Sequence, residues 1–485
     1  MAEPEYFLRG AFWLTAGQLT ATLVAGIASI LVARILGPDG YGLYSLSISA
    51  ASLLAVFSWF GVDQATVRYA SREKQKAKRY LDAAVTLAII NTLALAALGT
   101  AASRLLASAV NRPQLAQLVS LASIALAFSV LFSTSGLLTA VGRPDVTAKA
   151  GVALQLLRAL LVTSLALLAG YYGAVLGHSL AYVAASLLVL AVYSRTIGAW
   201  RPTLSGLGRV LAFGIPLWLP GVIGALVAFT RTAIMGMLLS NTDIGGLAVA
   251  MNFTALLGVL VAPFSSMALP YISASNNSEE RALSHVVKSS ALVATPLAVY
   301  TLLYAEPLVH AVYGAEYAGA AWPLRILALQ YLLPLAGSAG LAQYLVAKGD
   351  NMTVLEASVL ANLVQLATVY PLTRALHALG VAATLAASQA AWLAYTALKA
   401  GVKAYTLKPL PPALLAALPA ALPLLLQAHQ LLKAALGLAI YAAAYAILAL
   451  KTGALAPADV AVLLRQFHSL TAGPAETPGK KQHCH

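Results

Sequence analysis

The stretch GVALQLLRALLVTSLALLAG, residues 151 to 170, decides how the chain is read. Apart from Gln155, Arg158 and the small hydroxyl residues Thr163 and Ser164 it is apolar, and about 20 such residues form a helix long enough to cross a bilayer. Arg158 stands near its middle. A guanidinium at that depth costs roughly 2.5–3.5 kcal/mol on insertion scales, so arginines there face a watery cavity or a partner and usually mark function.

Composition extends this reading to the whole chain. Of 485 residues, 60% are hydrophobic and 9% charged, and the mean hydropathy is +0.82, which excludes a soluble fold of this length and indicates an all-α polytopic membrane protein. The N-terminus MAEPEYFLRG begins acidic and runs into an apolar segment too long for a removable signal peptide. Cys484 is the one cysteine, so no disulfide framework or cysteine-based metal site is expected. No metal or cofactor is expected at all.

Runs of mainly apolar residues predict about fourteen transmembrane helices, at 11–33, 42–62, 81–103, 116–139, 147–169, 173–194, 209–238, 244–270, 288–310, 322–346, 354–374, 380–401, 411–427 and 430–450. They group as a first lobe of six helices (1–200), a second lobe of six (201–404), a C-terminal pair (405–452) and a cytoplasmic segment (453–485). Within the last, 457–470 suits an amphipathic surface helix and the remainder a disordered tail. With the N-terminus in the cytoplasm, 22 of the 30 lysines and arginines fall on that side, six fall outside, and Arg158 and Arg231 lie within helices. That asymmetry orients both termini to the cytoplasm. It also accounts for the net charge of +14, including the basic run from Arg68 to Arg79, without a nucleic-acid partner.

The two lobes read as repeats. Asp39, Gly42 and Leu43 recur 204 positions later as Asp243, Gly246 and Leu247, and at an offset of 207 Gly142 meets Gly349, Gly173 meets Gly380, and Gln155 and Arg158 meet Asn362 and Gln365. An even number of helices per repeat puts the pseudo-twofold axis along the membrane normal, with the transport site at the repeat interface. Polar stripes mark the inward faces: Thr15, Gln18, Thr22 and Ser29 on the first helix, and Ser45, Ser49 and Ser52 on the second. Small hydroxyl residues also let helices approach closely. The larger polar groups Gln18, Asn91, Gln155, His178, Asn252, Gln330 and Gln365 line a wet interior or bond across helices, since facing lipid would leave them unpaired. His178 reads as a packing residue.

Carboxylates are scarce in the membrane; Asp82 and Glu356 stand near helix ends. Arg158 and Arg231 therefore lack an evident acidic mate and suit an anionic ligand, phosphate above all, because guanidinium offers fixed bidentate donors. The competing reading pairs each arginine with helix-end carbonyls or lets it snorkel outward.

Residues 7–72, with the core ARILGPDGYGLYSL from Ala33 to Leu46, resemble the opening of the polysaccharide-transporter, or O-antigen flippase-like, family. YGAEYAGAAWPLRILALQYLL (Tyr313 to Leu333) and LHALGVAATLAASQAAWL (Leu376 to Leu393) extend the resemblance in family order. The resemblance implies the multidrug/oligosaccharidyl-lipid/polysaccharide (MOP) superfamily fold: two six-helix lobes in a V, two extra C-terminal helices and a central cationic cavity. It implies a cargo, a polyprenyl-phosphate-linked or polyprenyl-pyrophosphate-linked oligosaccharide moved across the cytoplasmic membrane, and no enzymatic chemistry. Membrane lipids and the glycosyltransferases or polymerase of the same pathway are the implied partners, and the chain is expected to be a monomer. Many relatives carry an acidic residue in or beside the stretch that is here FTRTAIMGML (229–238), which puts ion coupling through that position in doubt.

Two other readings compete. A cation-coupled multidrug or metabolite antiporter of the same superfamily needs a membrane-embedded carboxylate in the first lobe, and residues 11–33 contain none. A membrane glycosyltransferase would ordinarily show a large extramembrane loop or clustered carboxylates.

Overall fold

The structure, a computed structural model, describes residues 3–58, 60–275 and 278–455. The segments 457–470 and 471–485, read as a surface helix and a tail, lie outside the described residues. So does the side chain of Thr15.

The described residues contain helices and no strand. In chain order the α-helices are α1 (Glu3–Ala51), α2 (Val62–Arg72), α3 (Ala77–Ala109), α4 (Ala116–Ser133), α5 (Pro144–Ile197), α6 (Leu207–Leu238), α7 (Asn241–Ser273), α8 (Glu279–Tyr313), α9 (Ala321–Ala328), α10 (Leu341–Ala347), α11 (Asn351–Leu376), α12 (Ala378–Ala400), α13 (Leu410–Ala420) and α14 (Gln430–Lys451). Ten helices among the described residues are long and apolar enough to cross a membrane, or eleven if the pair Ala315–Ala336 and Leu341–Ala347, bent by 43°, is one span. The protein is thus a multi-pass, all-helical membrane protein, with fewer spans by this measure than the fourteen expected.

The difference has a local cause. In α1, Gly37 leaves the helical region (φ 65, ψ 175) and Pro38 follows. Ser29 Oγ and Tyr41 Oη nevertheless lie 2.8 Å apart although twelve residues separate them, where an unbroken helix would put their backbones about 18 Å apart. The chain therefore doubles back at Gly37. In α5, Ala169 and Gly170 are non-helical, and Gly173 packs on Leu165 O while Gly177 packs on Leu161 O, so α5 is a second hairpin. Each of these two long helices takes in two of the predicted spans, although 42–62 runs on past the end of α1 at Ala51. The bent pair and the short apolar helix Leu410–Leu425 account for the remainder.

The 207-residue offset recurs in the backbone. Gly170 has φ 57, ψ −140 and His377, 207 positions on, has φ 52, ψ −131. Gly173 abuts Leu165 O and Gly380 abuts Leu372 O at the same offset. Gly142 and Gly349 are both left-handed, at φ 78 and 81. The contact between the halves follows a slightly different offset. A Cβ at Gly42 would fall 1.9 Å from Asn241 O, and one at Gly245 would fall 2.1 Å from Pro38 O. This reciprocal crossing relates Pro38 to Asn241 and Gly42 to Gly245, which is 203 positions rather than the 204 read from the sequence.

The same end of the molecule carries further bonds between the halves. Arg34 donates from Nε to Val312 O and from Nη2 to Ala311 O, both at 2.7 Å, and Arg112 donates to Gly236 O at 3.1 Å and Leu239 O at 2.6 Å. Both arginines thereby satisfy carbonyls at helix C-termini, where positive charge is favoured. Tyr317 adds a hydroxyl donated to Ala33 O at 2.7 Å. Ser240 starts α7 with a capping box, accepting from Asp243 N at 3.1 Å. The helices α13 and α14 dock on α8 through the buried Tyr300, Tyr304 and Tyr441.

Candidate functional site

The two hairpins create the cavity around Arg158. The antiparallel legs of α1 bring Ser29 and Val32 opposite Tyr41, Tyr44, Ser45 and Ser49, the first leg of α5 supplies Gln155 and Arg158, and its return leg supplies His178. From the second half, α7 adds Met251 and Asn252. The space enclosed is about 400 Å³, within the roughly 300–1,000 Å³ usual for ligand pockets.

Arg158 lines this cavity and is not clamped by acid. Its Nη1 donates to Gln155 Oε1 at 3.0 Å, one turn away on the same face, and its Nε is buried with no partner. The guanidinium also borders Tyr44 and His178, which bond to each other from Oη to Nδ1 at 2.9 Å. No carboxylate forms an ion pair with Arg158 among the described residues. Uncompensated positive charge beside open, polar space is the condition under which an anion binds favourably.

One wall is a cross-half knot. Asn252 Nδ2 donates to Ser29 Oγ at 2.9 Å and to Tyr41 Oη at 2.7 Å. Ser45, Ser49, Gln155, Arg158 and Asn252 therefore meet in one cavity, together with Tyr41, Tyr44 and His178, which the sequence reading did not select as site residues. Tyr41 and Tyr44 share the helical face of Ser45 and Ser49, and that i, i+3, i+4 spacing was a signal in the sequence for both. His178 had none beyond its polarity.

The other expected residues go elsewhere. Gln18 is exposed and pairs locally, Nε2 to Thr22 Oγ1 at 3.5 Å, while Thr22 donates back to Gln18 O at 2.8 Å. Asn91 donates to Phe57 O at 2.8 Å and to Ser58 O, satisfying carbonyls where a helix ends. Arg231 does not line the Arg158 cavity; its Nη1 donates to the buried Gln365 Oε1 at 3.4 Å. Gln365 stands at the repeat position of Arg158. Gln330 lines two further cavities in the second half.

Comparison with known proteins fits this architecture. No curated protein matches the chain. The solved structure of the lipid II flippase MurJ in an inward closed conformation superposes with a TM-score of 0.77 over 90% of this chain and 98% of that one, at 16% identity. An inward-facing multidrug resistance transporter of the MATE family superposes with a TM-score of 0.63 over 78% and 93% at 17% identity. A MOP superfamily transporter from Pyrococcus furiosus gives 0.55 over 81% and 94%, also at 17% identity. At identities this low the superpositions show a shared fold and nothing more. The family profile described as polysaccharide biosynthesis protein matches residues 31–322. That match covers more than half of the sequence, and the chain belongs to the polysaccharide biosynthesis protein family.

Proposed function

We propose that the chain is a flippase that moves a polyprenyl-phosphate-linked or polyprenyl-pyrophosphate-linked oligosaccharide across the cytoplasmic membrane. The observation that carries this reading is the Arg158 guanidinium, with a buried unpartnered Nε, opening on a cavity of about 400 Å³. The phosphate docks at Arg158, Gln155 and the Tyr44–His178 pair, the lipid tail stays in the bilayer, and no bond is made or broken. Arg231, outside this cavity and resting on Gln365, is a second phosphate contact at another stage of the passage. Residues 1–200 and 201–404 act as lobes that rock against each other, opening and closing at the Gly42–Gly245 crossing, with 405–452 as an added pair. Alternating access of this kind needs no more than two states that bind the headgroup from opposite sides. Both termini lie in the cytoplasm, and pathway glycosyltransferases or a polymerase are the partners on either side of the step. Membership of a polysaccharide biosynthesis family supports the cargo, and the flippase and transporter folds it shares support the mechanism.

The test uses proteoliposomes with a fluorescent polyprenyl-diphosphate oligosaccharide and a quencher that reaches only the outer leaflet. Arg158→Ala removes a charged contact worth about 3 kcal/mol, so affinity falls roughly hundredfold, while Arg158→Lys recovers part of it because ammonium lacks the planar fork. Wild-type flipping by the alanine protein refutes the assignment.

A further inference from the structure

Two more cavities lie in the second half, and their chemistry differs from that of the Arg158 cavity. One, of about 540 Å³, is walled by Gln330, Asn362, Gln389 and Trp392. The other, of about 300 Å³, shares Gln330, Tyr331 and Gln389 with the first and Met251 with the Arg158 cavity. The three spaces thus succeed one another along α7, from Ala248 through Met251 and Ala255 to Val261 and Ser265. At 1.5 Å per residue that path is about 25 Å long.

Neither of these two cavities is lined by Lys, Arg, His, Asp or Glu. What they offer instead is three carboxamides, hydroxyl groups and an indole face. Gln330, Asn362 and Gln389 make no hydrogen bond to other groups among the described residues, so each presents a free donor pair and a free acceptor side by side. That set matches hydroxyls on a sugar ring, which donate and accept together, and the apolar face of a ring packs on an indole such as Trp392. A carboxylate or ammonium on the sugar would find no counter-charge among the residues that line this space, so its charge gains no pairing in exchange for the water it gives up.

We propose that the Gln330–Asn362–Gln389–Trp392 cavity is a saccharide subsite selective for neutral sugars, set apart from the phosphate pole at Arg158 along α7. The proposal rests on the flippase reading and narrows its cargo to lipid-linked glycans whose sugars in this cavity carry no charge.

The experiment titrates the full-length protein with three synthetic polyprenyl diphosphates, read by native mass spectrometry: one without sugar, one bearing a neutral disaccharide, and one with a hexuronic acid in its place. The neutral glycolipid binds about tenfold tighter than the sugarless lipid, as expected from two or more amide hydrogen bonds, and the uronate gains nothing. In Asn362→Ala/Gln389→Ala the neutral glycolipid falls to the level of the sugarless lipid, whose own binding is unchanged and reports that the protein is folded. Arg158→Ala weakens all three lipids alike. Equal binding of all three lipids to the wild type, or a uronate that binds as tightly as the neutral glycan, overturns the subsite and leaves the flippase reading standing. Failure of every lipid to bind overturns both.

Discussion

The crossing of Gly42 and Gly245 leaves no room between the backbones of the two halves, and in the proposed mechanism it shuts one end of their interface. In Gly42→Ala the new Cβ would sit 1.9 Å from Asn241 O and 2.7 Å from its carbonyl carbon. An ordinary C···O contact is no closer than about 3.3 Å, so backbone must part from backbone by about 1.4 Å, and no flexible side chain is there to yield. Overpacking of this kind costs about 1–3 kcal/mol. That cost falls on the state in which this end is shut. If the lobes also occupy a state in which it is open, the population shifts toward that state by roughly 5- to 150-fold. Spin labels at Asp39→Cys and Ala318→Cys, both exposed near the crossing, in a Cys484→Ser background, report the separation by dipolar spectroscopy in nanodiscs. Gly42→Ala lengthens the dominant distance, Gly245→Ala does the same, and the double variant adds less than the sum because both substitutions break one contact. An unchanged distance distribution in both single variants, with normal thermal stability, refutes the crossing as a gate.

Other consequences are equally specific. His377→Gly relieves a positive φ that L residues avoid and raises stability by about 1 kcal/mol, while Gly170→Ala at the repeat-equivalent turn lowers it by a similar amount; thermal unfolding of the purified protein measures both. Asn252→Leu removes two hydrogen bonds to Ser29 and Tyr41 and costs about 1–3 kcal/mol by the same assay. Outside the spans, the Tyr80 hydroxyl, with Arg209 and Lys76 beside it, holds the Glu73 carboxyl below its usual range. Its stabilising contribution is present above the unfolded value of about 4.3 and is lost as pH falls through the depressed folded value. A melting-temperature profile that declines in acid is therefore flatter in Glu73→Gln. Finally, in a Cys484→Ser background a cysteine at Ser49, on the wall of the Arg158 cavity, reacts with a water-soluble thiol reagent; no reaction there argues against a wet cavity.

Composition and periodicity along the chain already specify the class and the approximate span positions, and they mark Arg158 as anomalous. Hydrocarbon leaves no water to satisfy backbone groups, so long apolar helices are compulsory and visible as composition. Arg158 was legible for the same reason: a charge in such a segment is costly enough to imply a partner or a cavity. The 207-residue repeat was readable in part, through glycines whose turns at Gly142 and Gly349, and packing at Gly173 and Gly380, require the absence of a side chain. Tertiary structure alone decided which polar residues share a site. A helical stripe defines a face without saying what that face meets, so Gln18 and Asn252 look alike in sequence, yet one bonds within its own turn and the other ties α7 to both legs of α1. The neighbours of Arg158, Tyr44 and His178, come from a different helix and from the return leg of its own hairpin. Their convergence is fixed by reversals at Gly37 and Gly170 and by side-chain packing across the halves, which act over distances in sequence that no local pattern records.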